Sequence, residues 1–255
     1  MNEEPHSKKA LKQYLQEATE WIKEIGWPAF MNGEWLLILV KRSFKAYYIN
    51  SNARFYRRKY PRLDDNAIIK KLITVAAKNA AIFGSITGAA VSIDEIMALV
   101  VVLPSGGLNL PAQFGVAATA LAAEAVVLVR IQLHLIANIA KLLDVPLDPD
   151  DPEDILLILQ FAFGGAIAEQ AGKLAAKTAG AATKTFIKKK LSGETLAVLK
   201  KLGARLGVKI LQRSIIKYAV PLVSSVVGGT WNYLATTKVG GVAVGHFRKS
   251  KDERG

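Results

Sequence analysis

Four polar side chains interrupt one long apolar run of this chain: Arg130, His134, Asn138 and Lys141. Separations of 4, 4 and 3 residues put them on one stripe of a helix. Glu124 falls near the edge of that stripe. A carboxylate, a guanidinium and an imidazole held together could bind a polar ligand or move a proton. Glu124, Arg130 and His134 therefore form a candidate polar pocket between apolar helices. The competing reading is a solvated stripe, or interhelical ion pairs that shift titration without catalysis.

Other chemistry finds less support. Cysteine is absent, which removes disulfides, thiol catalysis and thiolate metal sites together. The three histidines, His6, His134 and His246, lie in different segments, and no HExxH occurs. The Walker-type GxxxxGK[ST], the dinucleotide GxGxxG after a strand and the GxSxG elbow are all missing. No catalytic residue, metal or cofactor is assigned.

Charge gives the clearest surface signal. The net charge is +13, and it is unevenly spread. Residues 41–71 carry 10 basic and 2 acidic groups, and residues 173–217 carry 12 and 1. Between them, residues 72–172 carry 3 basic and 10 acidic groups. Arg205, Lys209, Arg213 and Lys217 recur every fourth residue, and Leu202, Leu206 and Ile210 read as an apolar ridge on another face. Lys188, Lys189, Lys190, Lys200 and Lys201 enlarge the field just upstream. A basic amphipathic helix of this kind suits an anionic membrane surface. The block 41–60 interleaves cations with Phe44, Tyr47, Tyr48, Phe55, Tyr56 and Tyr60. That mixture fits a headgroup layer or nucleic-acid stacking. Nucleic acid is the disfavoured partner, because no RNP, KH or helix-turn-helix pattern accompanies it.

The elements that must carry these groups are helical. Hydrophobic periodicity predicts a helix over 7–25 ended by Gly26 and Pro28, and a second over 33–49. The polar stretch 50–66 reads as a break, with Asp64 or Asp65 capping a helix over 67–88. Residues 96–123 hold 28 positions without a charge. Pro104 and Pro111 divide them, predicting a helix, a turn and a long helix over 112–143, or a hairpin dipping into lipid. The acidic, proline-rich stretch 144–154 is a linker. Helices are expected over 153–191 and 194–218, then a charge-free segment ending in a frayed RKSKDERG. Gly84/Gly88, Gly203/Gly207 and Gly241/Gly245 show GxxxG spacing, expected where helix backbones meet closely.

Two stretches resemble the EcsC family of bacterial proteins. They are QLHLIANIAKLLDVPLDP (132–149) and VPLVSSVVGGTWNYLATTKVGGVAVGHFRK (220–249), and the resemblance spans roughly 70–249. It implies a cytoplasmic protein peripheral to the inner membrane, with a membrane-protein partner linked to transport or secretion. The stretch 144–154 is more acidic and richer in proline than the family's pattern. It brings no catalytic residues with it.

The sequence thus predicts an all-α, multi-helix bundle with central Ala/Gly-rich apolar helices. Its divisions are an N-terminal helical region (1–66), an EcsC-like domain (67–249) and a disordered tail (250–255). The polar, acidic opening predicts no export signal. Peripheral membrane association or lipid interaction is the leading expectation. Alternatives are an enzyme or ligand-binding protein using the polar pocket, and a nucleic-acid binder using 41–60 and 184–217.

Overall fold

The computed structural model describes residues 8–90, 115–148 and 224–252, with Asp151, Asp154, Leu157, Ile158, Phe161 and Ala204 between them. Among these the chain is all-α, without a strand. The helices are α1 (Lys8–Met31), α2 (Glu34–Leu39), α3 (Lys45–Asn50), α4 (Ala53–Lys59), α5 (Asp65–Ala90), α6 (Gly115–Leu142) and α7 (Ser224–Asp252). A π-helical turn, Val40–Phe44, joins α2 to α3 without a break.

Helix α6 organises the fold. It packs against α5 and α7 on one side and against α1, the π turn, α3 and α4 on others. A helix that is apolar on most sides has to be covered on those sides, and α6 obeys this. Ala122, Val126, Leu133, Ile136, Ala137 and Ala140 are each fully buried. The stretch Ala122–Leu142 is long and apolar enough to cross a membrane, yet 72% of its apolar window is buried inside the fold. One core joins Trp21, Phe30 and Trp35 of the N-terminal helices to Ile68, Phe83, Phe161 and Phe247. The N-terminal helices therefore share their interior with the rest of the chain.

Local signals explain most helix ends. Gly26 leaves helical space (φ 79, ψ 155), and the chain re-enters a helix with Pro28 inside it. The expected stop at Gly26 is thus a kink, and α1 extends to Met31. Asp64 caps α5 by accepting from Ala67 N at 2.7 Å. The stretch expected as a break contains α4, capped by Asn52, whose Oδ1 accepts from Arg54 N (2.9 Å) and Phe55 N (3.3 Å). Asp144 ends α6 with φ 56, while Val145 N bonds Ala140 O (2.8 Å) and Asp144 N bonds Lys141 O (3.4 Å). This is a Schellman ending with aspartate where glycine is usual.

The α5–α7 contact corrects the glycine expectation. A Cβ at Gly229 would stand 2.6 Å from Ser85 Oγ and 3.0 Å from Ala81 O. One at Gly240 would stand 2.6 Å from Ile73 Cγ1. These two glycines, eleven residues apart, share a face and allow close approach. Among the described residues nothing lies within 4 Å of a Cβ at Gly241 or Gly245, so that GxxxG pair meets none of the described helices. The frayed ending is corrected as well. Helix α7 continues through Asp252, and Arg248 Nη2 donates to Asn66 Oδ1 of α5 at 2.6 Å. Lys249 and Lys251 in its last turn suit the negative end of the helix dipole.

Candidate functional site

The polar stripe of α6 runs beneath the N-terminal helices. Arg130, His134 and Lys141 are half-buried and Asn138 is buried. Aromatic side chains cover them. The Tyr47 ring lies 4.9 Å from the His134 ring, and Lys141 Nζ sits 3.7 Å above Tyr48. The guanidinium of Arg130 stands 6.0 Å from the Trp21 ring.

Arg130 and His134 line one small cavity of about 30 Å³ with Tyr14, Tyr47, Asn79 and Phe83. Burial pushes the His134 imidazole down to about 4, so it is neutral at physiological pH. Burial also pushes the Tyr47 phenol up to about 12, against a smaller pull from the Arg130 charge. Tyr14 moves up for the same first reason, with Glu17 adding to it and Arg130 opposing. Both phenols therefore keep their protons and remain donors. Arg130 Nε is buried without a hydrogen-bond partner.

Glu124 is not part of this cavity. Its carboxylate is buried and accepts from Asn232 Nδ2 at 2.9 Å. The same amide nitrogen lies 3.3 Å from Ala80 O, so one asparagine ties α5, α6 and α7 together. Six residues separate Glu124 from Arg130, which turns them to different sides of the helix. On the far side of His134 a cleft of about 10 Å³ touches Ser51 and Asn138. That is room for one water.

The cation–aromatic block divides by chemistry. Phe44 and Tyr56 are buried, and Tyr47 and Tyr48 face α6. Arg42, Lys45, Arg54, Arg58 and Lys59 are exposed, and Arg57 pairs with Asp65 at 2.8 Å. These four aromatics pack into the fold and do not form a stacking platform. Ile49, 67% exposed, stands one and two turns beyond Lys45 and Arg42.

A second surface lies on α7. Trp231, Leu234 and Val242 are 52%, 60% and 45% exposed. Lys238, Gly245 and Lys249 are exposed on the same stripe, opposite the buried Gly229, Thr236, Gly240 and Phe247. The charge-free stretch 219–236 offers itself to lipid by sequence, but nothing in its pattern says which of its sides faces outward. Sequence reasoning missed Tyr14 and Asn79, which come from helices far apart in the chain.

The cationic residues Lys188, Lys189, Lys190, Lys200, Lys201, Arg205, Lys209, Arg213 and Lys217 lie outside the described residues. So do Gly203 and Gly207, the break at Pro104 and Pro111, and His6. His246 is exposed beside Phe161, 5.2 Å between rings. Among the described residues no group of three or more metal-ligating side chains gathers. No protein-family model, curated protein or solved structure matches this chain.

Proposed function

We propose that this protein works at an anionic membrane surface, held there peripherally by the outward face of α7. The observation that carries this reading is the exposed row Trp231, Leu234 and Val242 interleaved with Lys238 and Lys249. Tryptophan favours the headgroup boundary, and lysine can keep its ammonium among phosphates while its stem lies on apolar chains. Taking the exposed parts of three apolar side chains out of water contributes about 1 kcal/mol each. Two lysines near an anionic leaflet add about 1 kcal/mol each. The sum of about 5 kcal/mol corresponds to three to four powers of ten in partitioning. That strength suits reversible attachment.

Burial of Ala122–Leu142 favours a peripheral protein over one anchored by that helix. The net charge of +13 favours an anionic surface over a neutral one. The stripe Arg205, Lys209, Arg213 and Lys217 would add to the attraction. The EcsC resemblance agrees with a place on the cytoplasmic side of a bacterial inner membrane, beside a membrane protein of transport or secretion. Inward-facing aromatics in the 41–60 block weigh against nucleic acid.

Sedimentation with vesicles tests this reading. The chain should pellet with phosphatidylglycerol-containing vesicles at low salt and stay in solution with pure phosphatidylcholine. Trp231→Glu with Leu234→Glu should abolish pelleting while helicity is kept. Wild-type protein that stays in solution with anionic vesicles would overturn the proposal.

A further inference from the structure

Among the described residues, the cavity at Arg130 is lined by a cation and neutral side chains and by no acid. Arg130 has no ion pair and no hydrogen bond among the described residues, and its Nε is fully shielded from water. Around it stand donors: the Tyr14 and Tyr47 hydroxyls and the Asn79 amide. The Asn79 side chain is buried and makes no hydrogen bond among the described residues. Glu17, exposed on α1, acts electrostatically on Tyr14 and Tyr47, and its carboxylate accepts from Gln13 at 3.2 Å. Arg130 is half-buried, and of its nitrogens Nε is shielded, so an anion reaching the guanidinium from the cavity would meet its charge in a partly desolvated setting.

Size and shape narrow the partner. About 30 Å³ accommodates two water-sized atoms. Two oxygens on one carbon match the fork of a guanidinium, whereas the four oxygens of a phosphate need more room. Tyr14, Tyr47, Arg130, Ile131 and His134 are only half-buried, so the cavity opens outward and the rest of a ligand can project into solvent. We infer that this cavity binds the carboxylate end of an organic anion, with Arg130 as charge partner and Tyr14, Tyr47 and Asn79 as hydrogen-bond donors. This site does not depend on the α7 surface.

The carboxylate could belong to a small soluble acid or to a fatty acid, and the experiment separates them. The full chain is titrated calorimetrically, without vesicles, with acetate, benzoate, laurate and inorganic phosphate at constant ionic strength. A soluble acid as the natural class predicts saturable benzoate or acetate binding no weaker than laurate. A fatty acid predicts laurate tightest. Either outcome supports the site, provided that phosphate is weaker and that Arg130→Met weakens binding at least about tenfold. Asn79→Ala and Tyr14→Phe, which keep the charge, should each weaken binding several-fold. Binding that is unchanged in Arg130→Met, or absent for all three carboxylates, overturns the inference.

Discussion

Alanine at Gly240 and at its neighbour Gly241 should move stability in opposite directions. In a helix interior alanine is favoured over glycine by about 1 kcal/mol. At Gly241 nothing lies within 4 Å of the new methyl, so Gly241→Ala should realise most of that gain. At Gly240 the methyl would lie 2.6 Å from Ile73 Cγ1 and 3.0 Å from its Cδ1. Helices α5 and α7 must then separate or Ile73 must leave its rotamer, at about 1–3 kcal/mol. The net change at Gly240 is a loss of up to about 2 kcal/mol after the helix gain is subtracted. For a chain of this size each kcal/mol moves Tm by about 2–4 °C. Thermal melts of the two variants, followed by circular dichroism, should therefore bracket the wild type. Gly229→Ala should behave like Gly240→Ala, because its methyl meets the backbone oxygen of Ala81 at 3.0 Å. Equal shifts at Gly240 and Gly241, or a reversed order, would refute the assignment of inner and outer faces to α7. The exposed Trp231 row would fall with it.

Acid should weaken the fold partly through His134. Its folded value is about 4 against 6.5 for the free side chain, so the unfolded chain takes up the proton first as pH falls. Stability therefore rises with pH across that window, and up to about 3 kcal/mol is lost on going down through it. His134→Gln should flatten this part of the Tm–pH curve, and parallel curves for variant and wild type would contradict it. Tyr48→Phe removes a hydroxyl that donates to Val145 O (3.3 Å) and accepts from Leu147 N (2.9 Å). A loss of about 1–3 kcal/mol and faster amide exchange at Leu147 should follow, and an unchanged Tm would count against that role.

The apolar helices were legible because their signal is strong. An apolar-periodic stretch with Asp64 at its start reads as α5, and the observed cap is that aspartate. Helix α4 was not read because its pattern is cationic and aromatic. Asn52, which caps it through two backbone amides, was the signal available. Arg130 and His134 share a face by simple spacing, and they do share a cavity. Glu124 seemed to stand near them, but six residues turn it toward Asn232. For α7, apolarity on all sides hid the orientation. Adjacent glycines 240 and 241 differ by about 100° around the axis, and only the neighbour Ile73 decides which one is inside.

The most direct test of membrane association is the depth of Trp231 in a lipid surface. Vesicles containing phosphatidylglycerol and lipids brominated near the headgroup should quench part of the tryptophan emission of the wild-type chain. Trp21 and Trp35 are only 7% and 0% exposed and should be spared. In a Trp27→Phe background, the account predicts that this quenching disappears on adding Trp231→Phe while the protein still pellets with the vesicles. Quenching that is absent in the wild type, or equal in the variant, would contradict it.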